Sequence, residues 1–401
     1  MHDSSQSTTR SNVLTFLGIM LVALNLRPGL TSVASVLNQI GRGLGLSALD
    51  QGILTTLPVL FLGIAAPLAP ALSRRLGIER AVLAAVVLLA FALLARPYLD
   101  FAALLIGTSI VGSCIGIMGV LLPGIVKRDF PQHASLLTGL YTAVVFFGAS
   151  SAAGVTEPLR MAFDGDWRSS LMVWAVPAGI ASMVWASQLN PEPIRKARPT
   201  PGHSLFRDPL AWQVTLYMGL QAVLAFAVFG WLPTILQSRG LTPVNAGFAL
   251  SLSIMLQIST AILAPWASSK MRDQRLIIAL AIVFTISGIL GCIVGPLPQI
   301  WLWVVILGLG QGATFSMALT LLAIRAGDPE TSARLSGMAQ GVGYTMAAFG
   351  PLVLGVLNEW FDDWRIAGVF LALTGLGALA AGIAAGRDRL VGSHAAANAS
   401  A

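Results

Sequence analysis

The chain is predicted to be an all-α integral membrane protein, with twelve transmembrane helices in two pseudo-symmetric six-helix bundles. Three observations carry that prediction: an apolar composition, twelve apolar runs of spanning length, and an internal repeat that divides the runs six and six. Of the 401 residues, 56% are hydrophobic and only 10% are charged. Soluble domains carry about 25% charged residues, so composition alone excludes a soluble globular protein.

The apolar runs read, in order, 13–37, 48–72, 80–95, 99–126, 134–158 and 169–187, then 210–236, 243–268, 275–294, 298–324, 333–357 and 364–385. Each meets or nearly meets the ~20 residues that a helix needs to cross the hydrocarbon core. Between the sixth and seventh lies a segment rich in proline and charge, with Pro191, Pro193, Arg195, Lys196, Arg198, Pro199 and Pro201. It has no helical apolar pattern and reads as a linker. The expected organisation is therefore an N-terminal bundle at 1–188, a linker at 189–208, a C-terminal bundle at 209–386, and a disordered tail at 387–401.

The two blocks repeat. Gly45-Leu46-Ser47, then Asp50 and Gly52, recur as Gly240-Leu241-Thr242, then Asn245 and Gly247, at an offset of 195. Leu68-Ala69-Pro70 recurs as Leu263-Ala264-Pro265 at the same offset, and Arg75 falls on Lys270. At an offset of 198, Gly112, Lys127, Pro131 and Gly139 fall on Gly310, Arg325, Pro329 and Gly337. Asp166-Trp167-Arg168 returns as Asp363-Trp364-Arg365. Matches in the same order, at equivalent places on the helix map, point to duplication.

Basic residues set the orientation. Of the 24 Lys and Arg, seventeen lie in tails and loops on the side of both termini and six on the other side, with Arg27 inside the first run. By the positive-inside rule both termini and the linker face the cytoplasm, in a bacterial-type inner (plasma) membrane. The net charge of +7 is then topological, and nucleic-acid binding is excluded. Residues 1–12 are polar and precede no cleavage site, so the first run is a retained helix. Cys114 and Cys292 lie in apolar runs as packing residues, with no disulfide framework or zinc spacing.

Arg27 stands out in the first helix. At ~1.5 Å per residue it lies roughly 21 Å along a helix of ~36 Å, where a charge costs about 2.5–3.5 kcal/mol. No membrane-central acid is available to pair with it, so an anionic or strongly polar ligand is the expected partner. Pro28 follows directly and breaks the helical hydrogen bonding there. Transporters build polar sites at membrane depth beside such interruptions. Thr31 shares the face of Arg27, whereas Asn25 reaches it only if the kink turns it.

Later runs add few polar groups: Tyr141 in the fifth, Gln221 in the seventh, Gln257 in the eighth, Gln311 in the tenth, and Gln340 with Tyr344 in the eleventh. Gln340 and Tyr344 are one turn apart and share a face. The candidate substrate site is Arg27, Asn25, Thr31, Tyr141, Gln340, Tyr344, Gln311 and Gln221. Paired glycines at Gly112 and Gly116, Gly308 and Gly312, and Gly337 and Gly341 are expected to be close helix contacts. The glycines around Gln311 follow no strand and precede no lysine, which excludes a nucleotide loop. All four histidines lie in loops or tails, and no nucleophile or metal motif stands in a helix, so neither an enzyme nor a cofactor is expected. Apart from Asp50 and Asp100 at the very starts of their runs, Glu157 is the sole acid in an apolar run. It sits near the outer end, where a partly hydrated, permanently ionised carboxylate predicts facilitated diffusion or exchange rather than proton coupling.

A six-plus-six repeat across a basic linker is the pattern of major facilitator transporters. More specifically, the chain resembles the cyanate permease and 2-nitroimidazole transporter family of that superfamily. The resemblance rests on Leu24-Asn25-Leu26-Arg27-Pro28, Leu30-Thr31-Ser32-Val33, Leu54-Thr55-Thr56-Leu57-Pro58, Pro123-Gly124-Ile125-Val126-Lys127-Arg128, Trp231-Leu232-Pro233 and Gln340-Gly341-Val342-Gly343. The superfamily's basic loop between helices 2 and 3 is matched in part, with Pro70 for its Gly and Arg74 for its Asp. The resemblance implies a major facilitator fold and transport of cyanate or a similarly small polar compound. A planar guanidinium fork suits a delocalised anion. A nitroimidazole exported instead would stack on Tyr141, Tyr344 or the arginine plane. A non-transporting membrane sensor would need an added signalling domain, for which neither end of the chain has room. The expected partners are a small-molecule substrate and the lipid bilayer, and the expected state is a monomer.

Overall fold

The computed structural model describes residues 3–98, 100–189, 205–327 and 329–391. Among them every regular element is helical, and twelve helices are long and apolar enough to cross a membrane. These are α1 (Val13–Ser35), α2 (Ala48–Leu76), α3 (Ile78–Ala95), α4 (Phe101–Asp129), α5 (Leu136–Ala162), α6 (Trp167–Ala186), α7 (Pro209–Ser238), α8 (Pro243–Ser268), α9 (Arg275–Val294), α10 (Leu297–Ile324), α11 (Arg334–Phe361) and α12 (Trp364–Ala385). The first span is shorter than its apolar run, because the backbone turns at Val36 and continues as a separate short helix, Leu37–Leu44.

The repeated motifs turn out to be helix punctuation. Gly45 and Gly240 sit at positive φ (65° and 101°), a conformation that glycine adopts without steric penalty. Ser47 and Thr242 then cap α2 and α8, accepting from the amides of Asp50 and Asn245. Asp166 and Asp363 cap α6 and α12 in the same way. Asp208 caps α7, while residues 190–204 of the expected linker lie outside the described residues.

Glycines set the packing of helix pairs. A Cβ on Gly112 or Gly116 would lie 2.1 or 2.4 Å from the Pro58 or Leu62 carbonyl, so α4 rides directly on α2. Gly308 and Gly312 do the same on the Ser253 and Gln257 carbonyls of α8. The structural counterpart of Gly112 is therefore Gly308, and the sequence match to Gly310 was two residues out of register. Gly310 faces Thr285 of α9 instead. Helix neighbours repeat with the same rule: α1 with α5 and α6, α7 with α11 and α12, α2 with α4, and α8 with α10.

The bundles close on each other at the end remote from the termini. There Gly52 of α2 and Gly355 of α11 meet backbone to backbone, a Cβ on Gly355 lying 2.8 Å from Gly52 Cα. Ser150 of α5 donates to the Ser251 carbonyl of α8 at 3.0 Å. The Asn38 amide donates to Gln237 at 3.0 Å, and the Leu49 amide to Glu359 at 3.1 Å. Toward the other end, Gly337 and Gly341 of α11 face open space. That corrects the expectation that this pair is a helix contact, since among the described residues no atom of a neighbouring helix stands within 4 Å of where a Cβ would lie at either glycine. The expected disordered tail also needs correction at its start. Through Val391 it is held, the Val391 amide donating to the Arg325 carbonyl at 2.9 Å, and residues 392–401 lie outside the described residues.

Candidate functional site

The site begins with the break in α1. The amides of Asn25 and Leu26 donate three residues back, to Val22 and Ala23 at 3.0 and 3.1 Å, and a new helix starts at Pro28. Pro28 has no N–H for the Leu24 carbonyl. Gly148 of α5 packs against that carbonyl so closely that a Cβ would lie 2.1 Å from it. The interruption turns Arg27 toward the second bundle. Its Cζ lies 5.0 Å from the ring centroid of Phe226 and 5.9 Å from that of Phe229, both on α7.

Tyr344 of α11 stands edge-on to Phe226, with centroids 6.1 Å apart, and Phe226 stands edge-on to Phe229 at 6.0 Å. The side chains of Tyr141 and Tyr344 lie within electrostatic range of the Arg27 guanidinium. Three of the residues expected from the sequence, Arg27, Tyr141 and Tyr344, are thus brought together by α1, α5 and α11. Arg27 Nη1 is buried and has no hydrogen-bond partner among the described residues. Phe226 and Phe229 were missed, because two more aromatic residues in an apolar run carry no contrast that a sequence reading detects. Beyond them, toward the closed end, a narrow cavity is lined by Gly29, Leu30, Val33, Thr55 and Thr108.

The remaining expected residues have other engagements. The Thr31 hydroxyl donates to the Ala149 carbonyl at 3.0 Å, one turn before Ser35 does the same to Ala153 at 2.8 Å. These bonds fasten α1 to α5. Asn25 donates to Leu21 O at 2.8 Å, leaving its buried Oδ1 without a partner. Gln311 accepts from Gln257 at 3.3 Å and donates to Leu224 O at 3.4 Å, joining α8, α10 and α7. Gln221 donates to Met218 O at 3.0 Å with Oε1 unpartnered, and Gln340 donates to Ser336 at 2.8 Å.

One charged residue departs from expectation, and a second is buried in the turn where it was expected. Glu157 is 1% exposed, so it is not the partly hydrated group expected at the end of α5. Arg160 holds it at 2.8 Å and Gln39 donates to it at 3.3 Å, a clamp invisible in the apolar pattern. Arg96 lies in the turn after α3, as expected, but is 1% exposed and donates to the Gly29 carbonyl at 3.0 Å. Gly107 makes room for it, since a Cβ there would lie 2.5 Å from Arg96 Cβ. It braces the restart of α1 just beyond Arg27.

Comparisons with known proteins agree with this architecture. The family model described as Major Facilitator Superfamily matches residues 13–351. The chain is 36% identical to the uncharacterized transporter YycB of Bacillus subtilis (strain 168), covering 93% of this chain and 94% of that one. It is 34% identical to the 2-nitroimidazole transporter of Escherichia coli (strain K12), over 96% and 98% of the two chains. Identity to the cyanate transport protein CynX of the same organism is 31%, over 90% and 94%. Among solved structures, the nucleoside transporter NupG superposes with a TM-score of 0.75 at 13% identity, over 93% of this chain and all of that one, which speaks for the fold alone.

Proposed function

The chain belongs to the Major Facilitator Superfamily, within its cyanate and 2-nitroimidazole transporter family, and on that premise we propose that Arg27 is the central substrate contact of a secondary transporter working by alternating access. The cargo is a small compound bearing one delocalised negative charge, cyanate-like in size. The observation that carries this reading is the buried, unpartnered Nη1 of Arg27. A buried donor left without a partner costs about 1–3 kcal/mol or more, and a single anionic ligand removes that cost. The relative named for cyanate transport supports the same cargo.

A second reading is export of small nitro-heteroaromatics. It is favoured by the aromatic residues around Arg27, whose faces suit a flat ring, and by the relative named for 2-nitroimidazole. In either case the protein works as a monomer in the inner membrane, with both termini cytoplasmic, and carries out no covalent chemistry. The two bundles are taken as 1–188 and 209–386. Transport is facilitated diffusion or exchange, because the buried acid of α5 is already committed to Arg160.

Reconstituted vesicles test these points together. Counterflow of labelled cyanate or 2-nitroimidazole should proceed without a pH gradient and persist in Glu157→Gln. Arg27→Ala should abolish it in protein that still elutes as a single folded species. Arg27→Lys should retain little, since an ammonium cannot reproduce the planar fork. Near-normal counterflow by folded Arg27→Ala overturns the assignment of Arg27.

A further inference from the structure

A second charged site lies at the end of the C-terminal bundle that bears the termini. The loop between α8 and α9 and the residues after α12 form a groove lined by Arg272, Asp273, Arg275, Arg387, Asp388 and Arg389. Its two acids are already engaged. Asp273 lies 3.5 Å from Arg275, and Asp388 lies 3.5 Å from the buried Arg325. Arg272, Arg387 and Arg389 have no hydrogen bond or salt bridge from their guanidiniums among the described residues, so the groove keeps unneutralised positive charge.

The floor of the groove is built rather than fortuitous. Arg325 is 2% exposed. It donates to the Ala385 carbonyl at 3.0 Å, to the Gly386 carbonyl at 3.2 Å and to the Gln274 side chain. The Gln274 amide donates to Gly386 O at 3.2 Å. These bonds fix the start of α9 against the end of α12 and hold the arginines in one place.

Apolar surface continues from this charge. Leu276, Leu280 and Val283 of α9 are 56%, 51% and 52% exposed and follow one helix face at i, i+4 and i+7. Beside the groove, Trp266 is exposed at the end of α8 with Lys270 Nζ 3.6 Å over its ring, a pairing typical of the membrane interface. Basic pockets between helices at that level suit lipid phosphates. We propose that this groove binds the phosphate headgroup of an anionic phospholipid, whose acyl chains run along Leu276 and Leu280. A free phosphate ester would satisfy the arginines but would leave the apolar stripe unused.

Native mass spectrometry of the full-length protein during stepwise delipidation tests this. Cardiolipin or phosphatidylglycerol should be retained at least about 5-fold over phosphatidylcholine, as expected of several guanidiniums at an interface. The anionic lipids should also raise the thermal transition, and phosphatidylcholine should not. R272Q/R387Q/R389Q should lose the preference while remaining monodisperse, and L276S/L280S should weaken retention. If the triple variant fails to fold, the single variant R389Q and the wild-type lipid titration carry the test. Equal retention of both lipid classes by the wild type overturns the proposal. So does unchanged preference in a folded triple or single variant. Stabilisation by millimolar inorganic phosphate or glycerol 3-phosphate that matches the lipid and displaces it would show a soluble phosphate site instead, and also overturns it.

Discussion

At the scale of the residue, the offset for placing a guanidinium at membrane depth is quadrupolar rather than ionic. The insertion cost is about 2.5–3.5 kcal/mol, and a desolvated cation–π contact returns up to about 2 kcal/mol. Phe226 at 5.0 Å is the better placed of the two rings. Because the rings neutralise no charge, Arg27 remains a net cation with a donor to spare, whereas a carboxylate partner would have consumed both. Phe226 steadies the guanidinium, and in the proposed site it would also present a flat wall to the ligand. Phe226→Leu should keep the protein folded and weaken binding of either cargo by roughly 5- to 30-fold, the equivalent of ~1–2 kcal/mol. The loss should be greater for 2-nitroimidazole than for cyanate, since only the former uses the ring face. Equal affinity in the variant, read by substrate-dependent thermal shift, would remove Phe226 from the site. The sequence showed Arg27, Tyr141 and Tyr344 by their polarity against an apolar background. It did not show that Thr31 is turned to Ala149, because a carbonyl acceptor on another helix leaves no mark in the residue pattern.

At the scale of the element, glycines decide which helices touch and which line open space. Twelve runs and their order were legible from hydropathy, while Ser47, Thr242, Asp166 and Asp363 were legible as repeat matches and not as the caps they form. Which glycine pairs are contacts was not legible, since Gly112 with Gly116 and Gly337 with Gly341 have the same spacing. Only the first pair meets another backbone. The difference is measurable. Gly148→Ala forces a methyl against the Leu24 carbonyl, now at 2.1 Å from that position, and should destabilise by about 1–3 kcal/mol, as overpacking does. It should also reduce transport, because the break that turns Arg27 inward lies against it. Gly337→Ala and Gly341→Ala meet nothing within 4 Å among the described residues and remove backbone freedom from a helix. Each should leave the melting temperature unchanged or raise it, by up to about 0.5–1 kcal/mol of added stability. Thermal unfolding in detergent ranks the three, and a Gly341→Ala protein less stable than Gly148→Ala would contradict the packing described.

At the scale of the whole molecule, the duplicated halves give two bundles that can rock about the layer holding Arg27. In the present arrangement the bundles meet at the end remote from the termini, where Gly52 lies against Gly355, whereas Gly337 and Gly341 meet nothing among the described residues. The duplication was legible as ordered sequence matches. The conformation was not, because neutral hydrogen bonds such as Ser150 to Ser251 have no sequence signature and both states share one chain. Those bonds are weak, averaging ~0.6 kcal/mol in membranes, so the closed end can part during each cycle. Fixing it shut should stop the cycle. The Ser150 and Ser251 hydroxyls lie 2.9 Å apart, so cysteines at both positions should form a disulfide, and the native Cys114 and Cys292 are buried. The oxidised Ser150→Cys/Ser251→Cys protein should lose transport and recover it on reduction. A further Gly341→Cys should still react with an impermeant maleimide in inside-out vesicles while the disulfide is closed, and stay unreactive in intact cells. Labelling from the outside would reverse the proposed orientation, and undiminished transport by the cross-linked protein would show that this end does not open.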